Sequence, residues 1–415
     1  MTLFSRIKNK YRHSKLVLLL RYLRYFIYRY LVRRYISSYT LMPGVNIESV
    51  DNGVCFFGYY NISPENNNGD ILYLKVNNEE TRASLIEPAK IMVKKPSGDI
   101  FQIGETRAWN WQQGCMLQWL PKGGKDILFN DYDEVNDRYV SKIIDMNSNV
   151  LRTFGMPVNN VSSDGSFALS LNYDRLAKMR PDYGYFNRKN NELADDNQDG
   201  IWHFDLTSGH KNLIITLENL KSFSYSSTMD GAKHKVNHID INPSGIRCMF
   251  LHRWVGPQGR FMRLITANPD GSGLYILNGD VMTSHCCWLN NKEILSFCEY
   301  KGVKGYFKFK DKTNKVEYFS VNMPETDGHP SVSPDGKWLI TDTYPDRAKM
   351  SYLYLYGVQN DTILKLGSFF QPLRYRKEMR IDLHPKWEID GKSIFFESGH
   401  GSKRNLYHLT EIFPS

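Results

Sequence analysis

A chain of 415 residues with 41% hydrophobic content buries a sizeable core, and its aromatic fraction of 13%, with 26 Tyr and 22 Phe, favours strands over helices. The net charge of +9 resembles a nucleic-acid signal until it is located: ten of the 53 Lys and Arg fall in residues 1–40, which hold no acid, leaving 43 basic against 44 acidic residues in the remainder. A neutral body without a recognition motif excludes a nucleic-acid partner.

Residues 1–40 interleave Leu16, Leu19, Leu20, Leu23, Ile27 and Leu31 with Arg21, Arg24, Arg29, Arg33 and Arg34. This pattern predicts a basic amphipathic helix. Its uncharged runs are far short of the roughly twenty residues that span a bilayer, and no small-residue cleavage site follows it. Interfacial binding to an anionic membrane surface is the expected role, against a solvated extension or a helix docked on the body. The expected location is the cytoplasm, peripheral to the inner face of the membrane. Six cysteines without CxxC spacing point the same way, to reduced thiols buried in strands.

From residue 41 onward short strands alternate with glycine turns. Turn positions fall near Gly69, Gly124, Gly165, Gly245, Lys292, Gly336 and Gly391, separated by 55, 41, 80, 47, 44 and 55 residues. A period near forty-five, with four short strands per unit, is propeller arithmetic. The long gap holds an insertion that begins at Arg180-Pro181-Asp182-Tyr183-Gly184-Tyr185. Seven units result, so residues 41–415 are expected to form one all-β domain, a seven-bladed β-propeller. Trp109, Trp111 and Trp119 belong in its core.

The units share a histidine register. His238, His329 and His384 each stand seven residues before Gly245, Gly336 and Gly391, and His285 precedes Trp288 as His384 precedes Trp387. If the strand after each histidine is innermost and runs away from the channel mouth, all four histidines lie at the mouth's rim. The loops that end the second strands join them there, rich in Arg, Lys and Tyr. Such a mouth suits an anionic sugar chain, because Arg grips carboxylates in bidentate fashion and aromatic faces stack on sugar rings.

The Ser333-Pro334-Asp335-Gly336-Lys337 unit resembles TolB-type propeller repeats. The wider set TRAWNWQQGCMLQWLP (106–121), RPDYGY (180–185), NHIDINPSG with FLHRW (237–254), SHCCW (284–288), DGHPSVSPDGKW (327–338) and IDLHPKW (381–387) resembles the oligogalacturonate-lyase and ulvan-lyase kind of polysaccharide lyase. The resemblance implies β-elimination on a uronate-containing polysaccharide. It implies His238 as base, Arg253 as carboxylate partner and Tyr183 or Tyr185 as acid. His285, His329 and His384 would be ligands for manganese, zinc or calcium, and Arg175, Arg180, Trp254, Tyr344 and Arg347 would contact substrate. Arg253 could instead pair with Asp240 or Asp346. A non-catalytic propeller that binds glycan or a partner protein in surface or capsular polysaccharide biosynthesis is the alternative reading.

Overall fold

The computed structural model describes residues 15–35, 37–79, 87–189, 192–279 and 281–413. Seven antiparallel sheets follow one another, each of four strands, one of them extended by a fifth. This is the seven-bladed propeller that the repeats predict.

The blades explain the sequence pattern. Second strands are packed on both faces by neighbouring blades, so Cys248–Gly256 and Glu293–Tyr300 are buried along most of their length. An outer strand such as Val150–Phe154 is exposed along most of its length. The turn glycines Gly69, Gly165, Gly245, Gly336 and Gly391 share a φ of +73° to +77°, which is why the repeat demands Gly there. In the second blade the left-handed residue is Gly123 rather than Gly124.

Closure uses the start of the chain. Asn46–Ser49 pairs with Asn405–Thr410 and becomes the outermost strand of the seventh blade. Tyr39–Leu41 is the fifth strand of the sixth blade, paired with Gly367–Phe369. The inner seam between last and first blades is ionic. Arg404 and Glu397, 2% and 0% exposed, meet at 3.0 Å, and Glu397 also accepts the backbone N–H groups of Phe57 and Gly58. Arg404→Met leaves that carboxylate buried with Lys386, at 3.9 Å, as its one cation among the described residues. The expected loss, read by urea denaturation, is about 3–5 kcal/mol, toward the lower end because Lys386 stays.

Trp109, Trp111 and Trp119 are core residues, packed with Phe56 and its neighbours. All six cysteines are buried and unpaired. At the amino end a helix, Lys15–Phe26, continues as a wider π-helical turn, Ile27–Val32. The basic residues Arg6, Lys8, Lys10 and Arg12 lie outside the described residues. A short helix, Tyr173–Met179, leads into the insertion, which opens with a 3-10 turn, Pro181–Tyr183, laid against the channel.

Candidate active site

Four blades deliver the four histidines to one place, His238 and His285 on the innermost strands, His329 and His384 two residues before theirs. Ring centroids stand 5.7 Å apart for His238 and His285, 3.9 Å for His285 and His329, and 4.3 Å for His329 and His384. They lie deeper than a rim: His285, His329 and His384 are 1–3% exposed, and only His238 is half-buried. Two of them occupy the left-handed region, His238 at φ +55° and His384 at φ +44°. His238 sits where strand Lys233–Ile241 slips register between Asn237 and Asp240, a bulge of the kind that re-aims a side chain.

Two tyrosines that local spacing did not reveal fill the centre. Tyr59 and Tyr60 arrive on the loop after the first blade's inner strand. That loop turns at Gly58, where a Cβ would meet the Gln113 carbonyl group at 2.7 Å. Tyr59 hydrogen-bonds His238 through its hydroxyl group, while Tyr60 donates to the Cys286 carbonyl oxygen at 2.7 Å. Burial and the neighbouring Tyr60 hold the Tyr59 phenol well above its ordinary value, so it stays protonated and able to donate. Tyr183 stands with its ring 5.5 Å from His238 and its buried hydroxyl group without a partner. Tyr185 is placed differently: it stacks on Tyr173 at 4.2 Å and accepts a hydrogen bond from Asn130, contacts of a packing residue.

Each histidine has a distinct electrostatic setting. His238 is partly open to the mouth but enclosed on its other sides. That enclosure, reinforced by Arg253, holds its imidazole well below 6.5 and therefore neutral at ordinary pH. Burial and His329 lower His285, against the opposing pull of Asp327, whose carboxylate lies 3.1 Å from its Nδ1. Burial pulls His329 down as well, but Asp342 outweighs it and the net shift is upward. Asp342 accepts both the His329 backbone N–H at 2.7 Å and Nδ1 at 2.8 Å, and it reaches the His384 backbone N–H at 3.2 Å.

These carboxylates fix tautomers. With Nδ1–H of His329 committed to Asp342, Nε2 is the atom left to meet a metal, and Nε2 of His329 and of His384 are both buried without a hydrogen-bond partner. Asp382 completes the group: one ligand atom each from His329, Asp382 and His384 lie within 4.8 Å of one another. Two orphaned imidazole nitrogens and a carboxylate form a donor set that a divalent transition metal fits. His285 stands outside that set, and Asp382 takes the place expected of it. Local spacing did carry a signal, since Asp327-Gly328-His329 and Asp382-Leu383-His384 both place an acid two residues before the histidine.

Arg253 has no carboxylate partner among the described residues. Its Nη2 reaches only the Thr283 carbonyl oxygen at 3.4 Å, and its Nε is buried without a partner. Asp240 is bonded instead by Asn61 and Asn160, and Asp346 by Tyr352. Lys235 stands nearby, its ammonium donating to the Met179 carbonyl oxygen and pushed down to about 7 by burial, Arg253 and Arg180. Arg180 lies over the Tyr183 ring at 5.0 Å and reaches Asp182 at 3.6 Å, which also pairs with Arg380. Tyr344 closes the wall, 5.8 Å from His329.

Three expected substrate contacts lie elsewhere. Arg175 is bound to Asp199 at 2.5 Å and to the His234 carbonyl oxygen, pinning the helix Tyr173–Met179 to the fourth blade. Trp254 is fully buried in that blade, its indole N–H donating to Thr228. Arg347 is exposed and lies over Tyr28 of the amino-terminal helix.

No protein-family model matches this sequence, and no curated protein sequence matches it. Solved structures do. An oligogalacturonate lyase from Vibrio parahaemolyticus superposes with a TM-score of 0.61 at 12% identity, covering 90% of this chain and 96% of that one. An oligogalacturonate lyase in complex with manganese gives 0.60 at 15% identity, with 90% and 98% covered. The fold is that of the oligogalacturonate lyases. A puromycin-hydrolyzing peptidase from Mycobacterium tuberculosis also aligns, at 0.50 and 11% identity over 86% of this chain and 53% of its own, so the propeller architecture alone does not choose a chemistry.

Proposed function

We propose that this protein is a polysaccharide lyase-like enzyme that cleaves an acidic, uronate-containing polysaccharide by β-elimination at the propeller mouth. The observation that carries the reading is the juxtaposition of a neutral His238, tyrosine hydroxyl groups, and an Arg253 without a carboxylate partner among the described residues.

Elimination needs the C6 carboxylate neutralised so that the C5 proton becomes acidic, a base to take that proton, and an acid for the departing O4. Arg253 offers the neutralising cation, with Lys235 and Arg180 deepening the positive field. His238 accepts the C5 proton. The C5–H and C4–O4 bonds break, C4=C5 forms, and a protonated tyrosine returns a proton to O4. Tyr59, bonded to His238, and Tyr183, with its free hydroxyl group, are the two donors within reach. His329, His384 and Asp382 would hold a divalent ion, and the two imidazoles favour manganese or zinc over calcium. When bound there, such an ion supplies Lewis-acid neutralisation of a carboxylate.

The test is ultraviolet absorbance of the conjugated 4,5-unsaturated product when the full chain is incubated with a panel of uronate polysaccharides, with manganese and after chelation. A rise that chelation abolishes is expected; silence across the panel with metal present would overturn the reading. Asp342→Asn leaves the ligand atoms in place but loosens the His329 tautomer. It should weaken manganese binding about 10–100-fold by calorimetric titration.

A further inference from the structure

The amino-terminal helix is turned inside out. A helix packed on a soluble body ordinarily buries its apolar stripe and exposes its charges. Here Leu16, Leu19, Leu20, Leu23, Phe26, Ile27, Tyr30 and Leu31 recur at helical i, i+3, i+4 spacing and are 42–67% exposed. The opposite face is the one held to the propeller. Arg29 is 3% exposed, its guanidinium 4.1 Å from the Phe370 ring and bonded to the Ser37 carbonyl oxygen. Tyr25 stacks on Phe370, and Tyr35 meets Tyr352 hydroxyl to hydroxyl at 3.1 Å. The body thus grips the helix by its polar and aromatic side and leaves the leucines outward.

The grip is at the mouth end of the sixth blade. Met350 and Phe370, both in contact with Arg29, begin and end the blade's outer hairpin on the side where the channel opens. The loop 343–349 joins the two regions: Tyr344 faces His329 and His285, while Arg347 lies over Tyr28 of the helix.

We propose that this helix docks the propeller, mouth side inward, on an anionic lipid bilayer. The charge pattern selects that occupant. Arg24, Arg33 and Arg34 are exposed beside the stripe, and residues 1–40 contain no acid. A second copy of the same helix would bring like charges together, whereas anionic headgroups neutralise them while the acyl boundary takes the leucines. The wet surface of the bilayer then lies beside the basic mouth, where a membrane-held acidic polymer would enter.

The experiment is co-sedimentation of the full chain with phosphatidylglycerol-containing vesicles and with pure phosphatidylcholine vesicles, wild type beside Leu19→Gln/Leu23→Gln. Both leucines are more than half exposed, so the fold is expected to survive, checked by its melt. Binding to the anionic vesicles should fall about tenfold or more in the double variant and should weaken with salt. Orientation is read with an environment-sensitive dye, because the six native cysteines are buried. On vesicle binding a dye on Lys403→Cys, in a mouth-side loop, should shift to the blue, and one on Asp335→Cys, in an opposite turn, should not.

Wild-type binding no stronger than that of the double variant would overturn the proposal. So would an absence of vesicle binding together with a concentration-dependent dimer that the double variant dissolves, since the stripe would then be covered by a second copy. A blue shift at the Asp335 site instead would overturn the orientation. None of these readouts requires turnover, so they stand or fall separately from the lyase reading.

Discussion

His238→Asn is expected to lower kcat by about 10²–10⁴-fold while leaving the fold intact, the range that loss of a positioned general base produces. Asparagine is the informative replacement because His238 sits at φ +55°, a conformation that Asn tolerates and β-branched residues do not. The pH profile distinguishes a base from a structural histidine. Burial and Arg253 hold this imidazole well below 6.5, so its proton-accepting form is fully present at neutral pH and is lost only as pH falls through the lowered value. The acidic limb of kcat/KM should therefore lie below pH 6.5 in the wild type and be missing from the residual activity of the variant. A limb centred above 6.5, or a variant that loses the limb without losing rate, would remove His238 from the role of base.

The architecture was legible because it is periodic. Three histidines in one register with a turn glycine, spaced by whole blades, imply convergence on an axis, and the structure brings all four rings together. Depth was not legible. A histidine that follows a loop reads as a rim residue, yet the carboxylates of Asp327 and Asp342 draw His285 and His329 into the channel wall. Tyr59 is hidden in the sequence for a different reason. It is 179 residues from His238 in sequence, and only ring closure makes the first blade a neighbour of the site. The basic residues misled where charge was read without its partners. Arg175 and Arg253 look alike in sequence, but one is neutralised by Asp199 and the other has no carboxylate partner among the described residues. The helix shows the same limit: periodicity gives an apolar stripe, while the side that packs is decided by Arg29 and Phe370, 341 residues apart in the chain.

Arg253→Met is expected to cost about 10²–10³-fold in kcat/KM, the loss usual when one donor of a preorganised charge-stabilising site is removed, and at the same time to raise the thermal midpoint. The two effects have one cause. A guanidinium held among Arg180, Lys235 and aromatic rings, with no carboxylate partner among the described residues, is a destabilising feature of the free protein. Evolution retains such groups where binding or catalysis requires them. An uncharged side chain of similar length relieves the repulsion, and the Lys235 ammonium, now pushed down to about 7 partly by Arg253, should titrate higher in the variant. Arg253→Lys separates charge from geometry: the cation remains, but the planar fork that meets a carboxylate at two points is gone. Partial rescue of kcat with a KM that stays high would show that Arg253 both neutralises and orients the C6 carboxylate. If Arg253→Met were instead less stable and fully active toward its polymer, the arginine would be a packing residue and the anion site would have to be sought around Arg180 and Arg380.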